Sequence, residues 1–188
     1  MSLPIVTLNQ GSDRRVRRGH CWIYSNEIRS VYIDGSEQAL TALEVGQQAT
    51  VVNASKHVLG SAYFNHKALL CGRLFSREAD ASFIELLRER ITTAYAWRER
   101  HIDNGCYRLI YGDGDQLPGL VVDRFGDYLV VQTTTYGVFS MLDAIVEVLA
   151  ELMSPKGILL RNDADIESEQ VPAETPVSYT HLTLPTNA

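Results

Sequence analysis

Cysteine is scarce in this 188-residue chain, with Cys21, Cys71 and Cys106 its only three. They are far apart, odd in number and form no C-x-x-C pair, so their spacing signals neither a disulfide framework nor a zinc centre. Long apolar runs are lacking too: no stretch approaches the roughly 20 consecutive apolar residues that cross a bilayer. The first ten residues hold no basic segment followed by an apolar core, so a cytoplasmic chain with no membrane partner is expected. A phosphate-cradling glycine loop is missing. Gly112-Asp113-Gly114 starts like a dinucleotide fingerprint, but Leu117 stands where the third glycine belongs. The same stretch fails as a calcium loop. Counted from Asp113, its sixth place is Pro118 and its twelfth Arg124, where glycine and glutamate are required. A turn rich in Gly, Pro and Asp is the reading left. His20, His57, His66, His101 and His181 are scattered singly, and no catalytic, cofactor-binding or metal-ligating residue is assigned.

What is present is an ordinary globular composition, 45% hydrophobic and 21% charged. The formal net charge of -6 is unevenly spread. Residues 1–77 hold nine Lys and Arg against five Asp and Glu, a balance of +4, whereas residues 78–188 hold eight against eighteen, a balance of -10. A basic front joined to an acidic rear points to a polyanion partner for the front alone, because phosphate affinity comes from local positive clusters.

The front reads as short strands without a long helix. Residues 5–8, 48–52, 58–64 and 69–75 are rich in Val, Leu, Tyr and Phe and are separated by turn-like residues. Several short strands in so few residues suggest a small barrel. Ser82 followed by Glu85 matches a capping box, and Phe83, Leu87, Ile91 and Ala94 recur at helical spacing behind it. Strands are expected at 107–110, 120–122, 128–132 and 158–160, with a hairpin turn at 124–127 and one helix at 138–153. The change from basic and strand-rich to acidic and mixed falls at about residues 76–81, which divides the chain into 1–77 and 78–170.

The densest chemical signal is Arg14, Arg15, Arg17 and Arg18, followed by Gly19-His20. Guanidiniums present a fork that matches phosphate oxygens, although short basic runs are common as plain solvated surface. Trp22 and Tyr24 follow at once. They suit stacking on bases and equally suit core packing in a small barrel.

Three stretches, RRVRRGHCWIYSNEI at 14–28, GSAYFNHKALLCGRLF at 60–75 and YRLIYGDGDQLPGLVVDRFGDYLVVQ at 107–132, resemble in order the front half of the ribosomal RNA large-subunit methyltransferase I family. The match runs from about residue 5 to 170, and the third stretch is the most specific. The resemblance implies an N-terminal PUA domain, a small RNA-binding barrel, then an α+β linking domain. A Rossmann-like domain follows in the family and methylates C5 of a cytosine in large-subunit ribosomal RNA with S-adenosylmethionine. Cys21 departs from the family, which usually has proline there.

The expected fold class is therefore α+β: a PUA-like barrel, an α+β linking domain, and the Rossmann-like methyltransferase domain absent from this chain. The cofactor is expected only in the intact protein, its site outside the chain, and the fragment alone is expected to be inactive. Residues 177–186 resemble one reading frame of a transposon adapter used in sequencing libraries. Residues 171–188 are accordingly expected to be a truncated end with an artefactual, unstructured tail. The expected partner is large-subunit ribosomal RNA, contacted by Arg14, Arg15, Arg17, Arg18, His20, Lys67 and Arg73, with Arg17 and Arg18 foremost. A self-standing PUA-type RNA-binding module without catalysis is the alternative, and a contact surface for an acidic protein is a third.

Overall fold

The computed structural model describes residues 3–161 and 178–179. Two sheets organise it. The first contains β1 (Ile5–Leu8), β2 (Trp22–Ile23), β3 (Ile28–Ile33), β4 (Ser36–Gln38), β5 (Gln48–Val52), β6 (Val58–Phe64) and β7 (Gly72–Ser76). Their order is β2-β7-β6-β5-β1-β3-β4, a curled sheet with β2 and β4 as its edges. Only the β1–β5 pair is parallel. A short helix, α1 (Asp13–Arg17), follows β1 and sinks Val16 into the sheet's core among Val6, Leu8, Ile23, Val51 and Phe64. Gly60 marks a bulge in β6: its φ is +141°, and a Cβ there would lie 1.8 Å from the Ser76 carbonyl oxygen. Only glycine lets β6 and β7 approach this closely.

The second sheet contains β8 (Cys106–Tyr111), β9 (Leu120–Phe125), β10 (Tyr128–Thr133), β11 (Gly157–Leu160) and β12 (Ser178–Tyr179), in the order β12-β11-β10-β9-β8. One face is covered by α2 (Phe83–His101) and α4 (Leu142–Met153), while α3 (Tyr136–Phe139) forms a single turn before α4. α2 buries Phe83, Leu87, Ile91 and Ala94, the four residues whose spacing announced it. Its capping box does not form. Ser82 makes no capping bond, and the Phe83 N–H donates instead to Gln48 Oε1 at 3.4 Å. A side chain from β5 thus satisfies one of the free N–H groups of the first turn.

The expected fold class is overturned in this rear half. β10 and β11 run parallel, and parallel neighbours need a crossover, which α3 and α4 supply. A strand–helix–strand unit of the Rossmann-like kind is therefore present, packed in one sheet with the antiparallel β8–β9–β10 meander. The front is a curled sheet of seven strands rather than a few strands closed into a barrel. The single helix expected over 138–153 is broken at Ser140–Met141, with Val138 buried from α3 and Leu142, Ile145 and Leu149 from α4. Of the expected tail, Ser178–Tyr179 pairs antiparallel with β11, so those two residues are not unstructured; the rest lies outside the described residues.

The sheets share a core. Tyr63 and Phe75 from the first sheet pack with Phe83 of α2, at ring-centroid separations of 5.3–6.3 Å. The Tyr63 hydroxyl donates to the Pro118 carbonyl at 2.5 Å and accepts from Thr135 Oγ1 at 3.1 Å. Two glycines make room for this insertion. A Cβ on Gly137 would meet the Tyr63 ring at 2.4 Å, and one on Gly119 would meet Thr135 Oγ1 at 2.3 Å.

Candidate nucleic-acid interface

The basic run folds as α1, which sorts its four arginines. Arg15 donates to both Glu27 carboxylate oxygens, at 2.8 and 2.9 Å, and its guanidinium lies 5.0 Å from the Tyr24 ring centroid. Glu27 also accepts the Tyr24 backbone N–H at 2.9 Å. Arg15 is thus built into the turn ahead of β3, and Tyr24 is covered by a cation instead of offered to a base. Arg17 pairs with Asp13 one helical turn back at 2.7 Å. Arg14 and Arg18 are exposed, and neither has a side-chain hydrogen bond or ion pair among the described residues.

His20 is exposed just beyond α1. Its carbonyl accepts from Arg77 Nη2 at 3.5 Å, and Arg77 Nη1 donates to the Val16 carbonyl at 2.7 Å. Lys67 is exposed on the loop between β6 and β7, whose turn is closed by Asn65 Oδ1 accepting the Lys67 N–H. That loop is anchored to the turn after β2, where the Ser25 N–H donates to the Leu69 carbonyl at 2.9 Å. Arg73 lies in β7 opposite Trp22 and donates to the Leu70 carbonyl. The seven expected residues therefore sit on α1, on the turn just after it (Arg18 and His20), on β7 and on the loop before β7. Arg73 and His20 are brought beside Trp22; Arg14 and Lys67 stand on separate elements.

Trp22 is neither core nor free. It is 41% exposed, and its indole N–H donates to Asp113 Oδ2 at 2.8 Å across the two sheets. Asp113 and Asp115 open the Gly-Pro-Asp turn, and both carboxylates are engaged. Asp115 takes a two-pronged contact from Arg98 at 2.7 and 2.8 Å and the Tyr111 N–H at 2.6 Å. The turn is a joint between α2, β8 and the first sheet. On one side of the Trp22–Asp113 bridge lies a cleft of about 610 Å³, and on the other a cavity of about 280 Å³ that includes Arg73.

Sequence reasoning missed two cleft residues, Arg77 and Arg90. Arg90 lies on α2 and donates to the Gln116 carbonyl at 2.6 Å, and burial lowers its pKa from the ordinary value. Arg77 and Arg90 are 13 residues apart in the chain, outside the basic run, and only the fold places them together. Cys21 lies at the same cleft. Burial foremost, and the Asp113 carboxylate next, push its thiol up to about 11, so it stays protonated at neutral pH.

Residues 6–77 match the PUA-like domain family. Beyond it, the chain is 31% identical over 169 residues to the ribosomal RNA large subunit methyltransferase I of Shewanella denitrificans. It is 26% identical over 170 residues to the protein of the same name in Vibrio cholerae. These matches cover 88% and 89% of this chain, and the chain spans 41% of the length of each relative. The resemblance carried by the three sequence stretches, to the front part of the ribosomal RNA large subunit methyltransferase I family, is borne out. Among solved structures, one described as a SAM-dependent methyltransferase from Streptococcus mutans matches 84% of this chain and 40% of its own, with a TM-score of 0.68 at 17% identity. A methyltransferase solved in complex with SAH matches similarly, covering 84% and 39%, with a TM-score of 0.68 at 18% identity. These likenesses show a shared fold and add to the correction of the expected fold class. No helix among the described residues is long and apolar enough to cross a membrane.

Proposed function

We propose that this chain is the RNA-positioning part of a cytoplasmic methyltransferase acting on C5 of a cytosine in large-subunit ribosomal RNA. Residues 1–77 serve as the RNA-binding unit and residues 78–170 as the central unit that follows it. The observation that carries the reading is the combination of a PUA-like match over residues 6–77 with α1 presenting Arg14 and Arg18 unpaired to solvent. Arg17, His20, Lys67 and Arg73 would supply further phosphate contacts from their own elements, and Arg15 holds the turn beside α1 in shape through Glu27. Phosphate contacts made this way position an RNA without reading its sequence.

The methyl donor implied by this reading is S-adenosylmethionine. The turn after β10, where a strand–helix–strand unit of this kind offers its ligand crevice, does not fit it. The Thr134 N–H is taken by the Gly119 carbonyl, Thr135 Oγ1 caps α3, and the Tyr63 ring fills the space over Gly137. Fluorescence anisotropy over a salt series tests the binding reading: a fragment of large-subunit ribosomal RNA binds with strong salt dependence, and absence of binding at low salt refutes it.

A further inference from the structure

Three observations converge on the cleft between the sheets. Its volume, about 610 Å³, lies within the range of roughly 300–1,000 Å³ typical of small-ligand sites. One wall carries Trp22, which is 41% exposed and whose indole is held in one orientation by its bond to Asp113. An exposed, pre-oriented indole is a ready stacking surface. The cleft also holds Arg77 and Arg90, whose hydrogen bonds go to the carbonyls of Val16, His20 and Gln116 and which form no ion pair among the described residues, Glu89 acting on Arg90 only at longer range. Each guanidinium therefore keeps N–H groups for an anion. Asp113, the carboxylate on this wall, is already bonded to the Trp22 indole.

We infer that this cleft receives one unstacked nucleotide of a single RNA strand, its base on Trp22 and its phosphate at Arg77 and Arg90. The inference rests on the RNA-binding reading above and adds to it a discrete nucleotide site distinct from the arginines of α1. The arrangement favours single-stranded over duplex RNA, because an unpaired base enters a pocket without the cost of breaking a base pair.

The chain has two tryptophans, and Trp97 is exposed on α2, so Trp97→Phe leaves Trp22 as the sole indole reporter. In that background the full chain is titrated with a single-stranded RNA octamer, with binding read by anisotropy and Trp22 by its emission. Quenching that tracks binding is expected, with no quenching by inorganic polyphosphate, which has charge but no base. Arg77→Gln with Arg90→Gln weakens octamer binding by roughly tenfold or more, and Trp22→Ala does so by a similar factor. Binding with unchanged Trp22 emission overturns the nucleotide site and leaves the RNA reading standing. No binding at all removes both. Quenching by cytidine monophosphate at the same concentration as the octamer also overturns the inference, since the cleft then takes free nucleotides and not a strand.

Discussion

Tyr63→Phe removes one oxygen from the seam between the two sheets and leaves the packing in place. The ring still meets Phe75 and Phe83, so no cavity opens. What is lost is a donor to the buried Pro118 carbonyl and an acceptor for Thr135, which is 1% exposed. A buried polar group left without a partner costs about 1–3 kcal/mol. The Thr135 hydroxyl still accepts from the Val138 N–H, but its own proton loses its acceptor as the Pro118 carbonyl loses its donor, and the total is about 2 kcal/mol. For a folded unit of this size each kcal/mol moves Tm by about 2–4 °C, which gives a drop of about 4–8 °C. Thermal and urea melts followed by circular dichroism measure it. A variant within about 0.5 kcal/mol of the parent would refute the claim that this hydroxyl joins the sheets.

Gly60→Ala puts a methyl group 1.8 Å from the Ser76 carbonyl oxygen at a φ of +141°. It should cost more than about 3 kcal/mol or prevent folding. Gly126→Ala, with nothing within 4 Å of the added carbon, should cost only about 1 kcal/mol in urea denaturation. Cys21, pushed up to about 11 from an ordinary 9.0, holds its proton more tightly in the folded chain than in the unfolded one. Its contribution to stability is therefore intact below pH 9 and lost as pH rises toward 11. Alkylation of Cys21 should show a midpoint near pH 11, well above that of a model thiol, and a midpoint at 9 or below would contradict the assigned burial.

Legibility from sequence followed the strength of local pattern. The buried face of α2 could be read because 19 residues repeat a helical period several times, and β8, β9 and β10 could be read because their apolar positions are bounded by clear turns. α1 is five residues long and dominated by arginine, too short for periodicity to speak. The α3–α4 break was hidden because Val138 and Leu142 keep helical spacing across it. The parallel pairing of β11 with β10 involves four residues whose composition carries no direction, and that omission produced the wrong fold class. In the candidate site, the basic run was visible as charge, but its sorting into the engaged Arg15 and Arg17 and the open Arg14 and Arg18 depends on Glu27 and Asp13. Of the cleft only His20 and Trp22 were legible, since Arg77, Arg90 and Asp113 join them only through tertiary packing.

The central claim, that α1 meets RNA phosphates through its open arginines, is tested most directly by the salt dependence of binding in an Arg14→Ala, Arg18→Ala double variant. Each lost phosphate contact on a single strand lowers the slope of log K against log salt by about 0.7. The double variant should therefore bind RNA more weakly at low salt, with a slope shallower by about 1.4, while Arg15→Ala lowers thermal stability through Glu27 and Tyr24. A double variant that keeps parental affinity and slope would contradict the claim and remove α1 from the RNA surface.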